Sequence, residues 1–137
     1  MNNKDTILYL GIDIAKQELV FVVDGQSKAQ NVPNKPEGHG RIIDHIHNLK
    51  RPCCAVVEST GGYEYALLEA FLEAGIEAAI VLPQRVRDYA RSQGHLAKTD
   101  AIDAAVIAEF ARISQPRRFQ KQDQLHHELK ALHKRRE

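Results

Sequence analysis

The chain is short of cysteine, long apolar runs and net charge. Its two cysteines, Cys53 and Cys54, are neighbours with no third to pair with. Adjacent cysteines rarely bridge, so a disulfide framework is excluded and both read as small buried residues in a reducing compartment. The seven histidines show no zinc-ligand spacing either. No apolar stretch approaches the roughly 18–20 residues that cross a bilayer. The opening MNNKDTILYLGID lacks a basic segment ahead of a long apolar core, so no signal peptide is expected. A cytoplasmic protein without a membrane partner is the expectation. With 19 Lys/Arg against 18 Asp/Glu, the net charge of +1 does not by itself announce a nucleic-acid partner. Neither a P-loop nor G-x-G-x-x-G is found, and no internal repeat or low-complexity tract.

What is there is enough for one domain: 137 residues, 43% hydrophobic and 27% charged. The charge is uneven. From Gln115 the sequence QPRRFQKQDQLHHELKALHKRRE carries seven Lys/Arg against three acids, with three His. A domain over residues 1–116 is expected, followed over 117–137 by the start of a helical connector.

Periodicity orders the elements. Ile7–Ile12 reads as a buried strand, ELVFVV as a second strand closed by the hairpin signal DGQS, and KAQNVPN as a third. Pro36–Leu49 carries Ile42, Ile43, Ile46 and Leu49 at helical spacing. CCAVVE is a strand ending at Glu58, and Tyr65–Ala74 a helix. IEAAIVL is a further strand, and Pro83 opens a short helix. Thr99 suits the N-cap of a helix from Asp100 to Ile113, with Ile102, Val106, Phe110 and Ile113 as its buried stripe. An antiparallel meander followed by helix-linked parallel strands is the plan of the ribonuclease H-like fold, although periodicity alone leaves other mixed α/β folds open.

Four acids stand out. Asp13 falls just past the first predicted strand and Glu58 at the end of the fourth, where open α/β sheets place their sites. Asp100 and Asp103 are three apart, neighbours on one helix surface. Each has an ordinary explanation: a turn cap, a solvated loop, or acids favoured at a helix N-terminus. Gathered together, four carboxylates would repel one another, and a divalent cation would remove that cost. Oxygen-only ligands suit Mg²⁺ or Mn²⁺, and a pair of such ions serves phosphoryl transfer. Lys16 and Lys98 flank these acids and suit phosphate oxygens. Arg85, Arg87 and Arg91 on one short helix suit a basic rim for nucleic acid. Gly61 and Gly62 fit a turn that needs positive φ, and Ser59 reads as a turn residue.

The segments YLGIDIAK, VVESTGGYE and GHLAKTDAIDAAVIAEFAR, in this order, resemble the N-terminal domain of the DEDD transposases of bacterial insertion sequences, a family that includes the Piv-type DNA invertases. The resemblance runs from about Tyr9 to Arg112. It implies a Holliday-junction-resolvase-like version of the ribonuclease H fold, with a mixed five-stranded sheet flanked by helices. It also implies catalytic, metal-binding roles for Asp13, Glu58, Asp100 and Asp103, and DNA as partner. A structured guide RNA and a homo-oligomeric full-length protein are further expectations. Family members continue into a long helical segment and a C-terminal domain with a nucleophilic serine, which this chain does not reach. The fragment alone is therefore expected to be inactive. The rival readings are a non-catalytic nucleic-acid-binding or assembly module, and an actin- or sugar-kinase-like ATPase fragment suggested by LGIDIAK before a hairpin strand.

Overall fold

A computed structural model describes residues 6–26, 28–94 and 103–136, with side chains up to 132. Five strands form one sheet: β1 (Leu8–Ile14), β2 (Glu18–Val23), β3 (Gln30–Pro33), β4 (Cys53–Glu58) and β5 (Glu77–Val81). The order across the sheet is β3-β2-β1-β4-β5. The first three are antiparallel, and β1, β4 and β5 run parallel. This is the mixed five-stranded sheet expected from the pattern, and Ile12, Val22, Val56 and Val81 are buried in it as alternation requires.

The helices are α1 (Pro36–Leu49), α2 (Tyr65–Glu73), α3 (Pro83–Ser92), α4 (Ala104–Ser114) and α5 (Lys121–Arg136). Pro36 and Pro83 open α1 and α3, where a missing N–H costs nothing. On one face of the sheet Leu10, Ile12, Ala55 and Val57 meet Ile42, Ile46, Leu67, Leu68 and Phe71 of α1 and α2. On the other, Tyr9, Cys54, Val56, Ala79 and Val81 meet Val86 of α3 and Ile107 and Ala111 of α4. After Pro116, Arg118 pairs with Ala79 on the free edge of β5 and Phe119 is buried in the first core.

Three details differ from expectation. The first strand continues to Ile14, so Asp13 lies inside β1, opposite Val20. A ladder needs only backbone groups, so a polar side chain near a strand's end does not stop it. Next, α4 begins at Ala104, not Asp100. Asp103 is its N-cap, extended at φ −110°, with its carboxylate accepting from the Val106 N–H at 2.9 Å. Aspartate satisfies an orphan N–H at a helix start better than it serves inside the first turn. The expected Thr99 cap, and Ile102 of the stripe, fall outside the described residues. Lastly, the buried face of α4 is Ala104, Ile107, Ala108 and Ala111; Val106 and Phe110 are half-buried and Ile113 is exposed. Small residues face inward because α4 lies directly on Gly11. A Cβ there would sit inside the Ala104 carbonyl oxygen and 2.7 Å from the Ala108 nitrogen.

Candidate functional site

The parallel register of β1 and β4 pairs Leu10 with Ala55 and Ile12 with Val57. One residue further along each strand, Asp13 comes level with Glu58. Side chains alternate along a strand, so Asp13 follows Tyr9 and Gly11, and Glu58 follows Cys54 and Val56. Both carboxylates thus fall on the α3/α4 face, at the carboxyl edge of the sheet. The close seat of α4 on Gly11 brings Asp103, at the start of that helix, to the same edge.

The electrostatics agree with this placement. Burial pushes the Asp13 carboxyl above its ordinary value, and the charges of Asp103 and Glu18 push it the same way. Burial also raises Glu58; the Asp13 charge adds to the rise and Arg87 opposes it. The structure therefore brings Asp13 near Asp103 and Glu58 near Asp13, as two pairs along one edge, with Arg87 beside Glu58. Glu18, on the strand opposite Asp13, was not singled out from the sequence; its carboxylate accepts from Asn31 at 2.6 Å. Asp100 and Lys98 fall outside the described residues.

Among the described residues no three His, Cys, Asp or Glu stand close enough together to hold a metal ion. The donor chemistry at the edge nevertheless suits a hard divalent cation: two half-buried carboxylates, oxygen only, both with raised values, Glu58 in part through the charge of Asp13. Asp103, although exposed, has one oxygen committed to capping α4.

The basic residues are dispersed. Lys16 is exposed in the turn after β1, three residues beyond Asp13. Arg87 and Arg91 are one helical turn apart on α3, and Arg91 pairs with Asp88 at 3.7 Å. Arg85, two residues before Arg87, falls on a different face, beside a cavity lined by Leu82, Phe110 and Arg117.

The loop between Glu58 and α2 is built more firmly than its glycines suggest. Gly61 and Gly62 adopt φ of 87° and 140°, the turn conformation expected of them. Glu64, only 1% exposed, accepts from the Thr60 hydroxyl at 2.6 Å, the Gly62 N–H at 3.0 Å and the Thr60 N–H at 3.3 Å. Sequence reasoning passed over Glu64. The only local signal was a carboxylate two residues beyond a Gly-Gly turn with a hydroxyl at its start.

The comparisons agree with the geometry. Two pilin gene-inverting proteins, from Moraxella lacunata and Moraxella bovis, are each 28% identical over 94% of this chain. The chain spans 42% of the length of those relatives. A Thermus thermophilus RuvC structure superposes with a TM-score of 0.57 at 19% identity, covering 82% of this chain and 99% of RuvC. RuvC of the same organism in complex with a Holliday junction substrate gives 0.59 at 18%, covering 83% of this chain and all of that one. The fold is ribonuclease H-like. The family model described as a transposase, of the DEDD IS110 type, matches residues 10–137, and the chain belongs to that family.

Proposed function

We propose that this chain is the N-terminal catalytic domain of an insertion-sequence transposase or DNA recombinase that cuts and exchanges DNA strands at a four-carboxylate site. The observation that carries this is the placement of Asp13, Glu58 and Asp103 along one sheet edge, where burial and the Asp103 charge raise the cost of ionising Asp13, and burial and the Asp13 charge raise that of Glu58. In this reading Asp13, Glu58, Asp100 and Asp103 hold Mg²⁺ or Mn²⁺. The cation, when bound, supplies charge neutralisation and activation of an oxygen nucleophile for phosphoryl transfer. The carboxylates orient it, α4 presents Asp103 from its N-cap, and Arg87 lies where a phosphate could share its charge. Lys16, Arg85, Arg91 and Lys98 contact nucleic acid along the rim.

The DNA substrate of the RuvC complex and the gene-inverting function named for the Moraxella relatives support DNA as partner. A structured guide RNA belongs to the same reading. Three exposed leucines of α5, Leu125, Leu129 and Leu132, recur at helical spacing and support a homo-oligomer of the longer protein. Among the described residues no helix is long and apolar enough to cross a membrane. The isolated chain is expected to be inactive, since it spans less than half of its relatives.

A second reading, a nucleic-acid-binding or assembly module without chemistry, is favoured by one observation: no three-ligand group forms among the described residues. Asp103→Asn separates the two. Asparagine caps helices about as well as aspartate, so the fold should keep or gain stability. Mn²⁺ at a hundredfold excess over its dissociation constant should stabilise the unaltered chain by about 2.7 kcal/mol and the variant by much less. Equal Mn²⁺ responses in thermal melts would remove Asp103 from the site; no response in either would favour the assembly module.

A further inference from the structure

The β1–β4 ladder holds Ile12 beside Val57, but the turn after β1 and the loop after β4 extend beyond it. One side chain spans them. The Asn34 amide nitrogen donates to the Ala15 carbonyl at 3.0 Å and to the Tyr63 carbonyl at 3.3 Å. Ala15 is two residues past Asp13, and Tyr63 lies in the loop that starts at Glu58. The backbone of Asn34 joins the same turn, its N–H donating to Gln17 at 3.0 Å.

Two carbonyl acceptors require the nitrogen side of the amide, so its oxygen must face the other way. There it meets the Nε2 of His39 at 2.8 Å, which must then carry the ring proton. His39 is 5% exposed, and burial lowers its proton affinity, which keeps the ring neutral. Its position depends on Gly38. A Cβ at Gly38 would sit inside the Pro33 carbonyl oxygen, so only glycine lets α1 start this close to the end of β3.

We infer that Asn34 is a positioning residue for the acidic edge: its amide ties the turn after Asp13 to the loop after Glu58, and His39 sets the amide's orientation. Two carboxylates that repel each other tend to drive their loops apart. The bridge opposes that motion and keeps them spaced for a shared cation. This rests on the proposed role of Asp13 and Glu58 as a functional pair.

The test uses this chain with Asn34→Ala, His39→Leu and His39→Gln. Ile46→Val, a buried change further along α1, serves as a control for general destabilisation. Amide hydrogen exchange is read at Ala15 and Ser59, whose N–H groups bond Glu18 and Val81, against Ile76, whose N–H bonds Phe71. Mn²⁺ affinity is read by electron paramagnetic resonance of the free ion. Asn34→Ala and His39→Leu should speed exchange at Ala15 and Ser59 about tenfold relative to Ile76 and weaken Mn²⁺ binding about tenfold. His39→Gln offers an amide N–H to the Asn34 oxygen and should restore both readouts to within about twofold; Ile46→Val should move neither. Unchanged exchange in Asn34→Ala overturns the bridge whatever Mn²⁺ does. Faster exchange with unchanged Mn²⁺ affinity overturns the positioning role. If the unaltered chain binds no Mn²⁺, the metal reading falls, and the exchange data alone sustain or overturn the bridge.

Discussion

The two faces of the sheet solve different problems with the same strands. Towards α1 and α2, β1 presents Leu10, Ile12 and Ile14, and the facing helices answer with Ile42, Leu67, Leu68 and Phe71, every one buried. Towards α3 and α4, the alternate residues of β1 are Tyr9, Gly11 and Asp13, and α4 answers with three alanines and one isoleucine. The first face maximises buried apolar area, the main favourable term in folding. The second gives up area for closeness. Small residues lower α4 onto β1, and that brings the Asp103 cap near Asp13. Stability is concentrated on one side and the acid edge on the other.

The largest effect should come from breaking the bulky face. Phe71→Ala should cost about 3–5 kcal/mol in urea unfolding, since Phe71 is fully buried. The loss should be the same with and without Mn²⁺. A Mn²⁺-dependent loss would show that the two faces are energetically coupled.

Gly11→Ala attacks the close face. The added methyl meets backbone of α4, which cannot rotate away as a side chain can. Overpacking of this kind costs about 1–3 kcal/mol. The variant should also lose most of its response to Mn²⁺, because Asp103 moves with the helix. A stable variant with an intact response would refute the idea that helix closeness builds the site.

A smaller effect is expected from pH. Asp13 and Glu58 have raised folded values, so their stabilising contribution is complete below the ordinary carboxylate range. It is lost as pH rises through the raised values. His39 has the opposite sign: its lowered folded value gives a contribution present above the usual histidine value near 6.5 and lost as pH falls through the lowered one. Asp13→Asn combined with Glu58→Gln should flatten the first trend and leave the second. Melting temperatures from pH 3 to 8 would show both.

The smallest effect concerns the rim. Arg91→Ala should weaken binding to duplex DNA uniformly across sequences and reduce the slope of log K against log salt by about 0.9 if one phosphate contact is lost. Arg85→Ala, on another face of α3, should reduce it independently. If the two losses are not additive, both arginines serve one phosphate.

The alternation of strands, the prolines that open α1 and α3, and the glycines of the Thr60–Glu64 turn were legible because each depends on neighbours in the chain. Glu58 was legible as a strand end for the same reason. The placement of α4 was not. Ile102, Val106, Phe110 and Ile113 recur at helical spacing, and spacing is what a hydrophobic wheel counts. Contact with Gly11 rewards the smallest side chains instead. The expected cap at Thr99 put Asp103 inside a helix, whereas in the fold Asp103 is itself the cap.

The resemblance to the DEDD transposases narrowed a mixed α/β plan to the ribonuclease H-like fold. Residue types and spacing alone specified the order of elements, that mixed plan and Glu58 at a strand end. Those properties follow from backbone preferences and periodicities that act over a few residues. Folding decided which acids meet, which face is small, and that Asn34 reaches the Ala15 and Tyr63 carbonyls, 19 and 29 residues away along the chain. Such contacts form only when the sheet closes, and their energy depends on partners that local pattern does not contain.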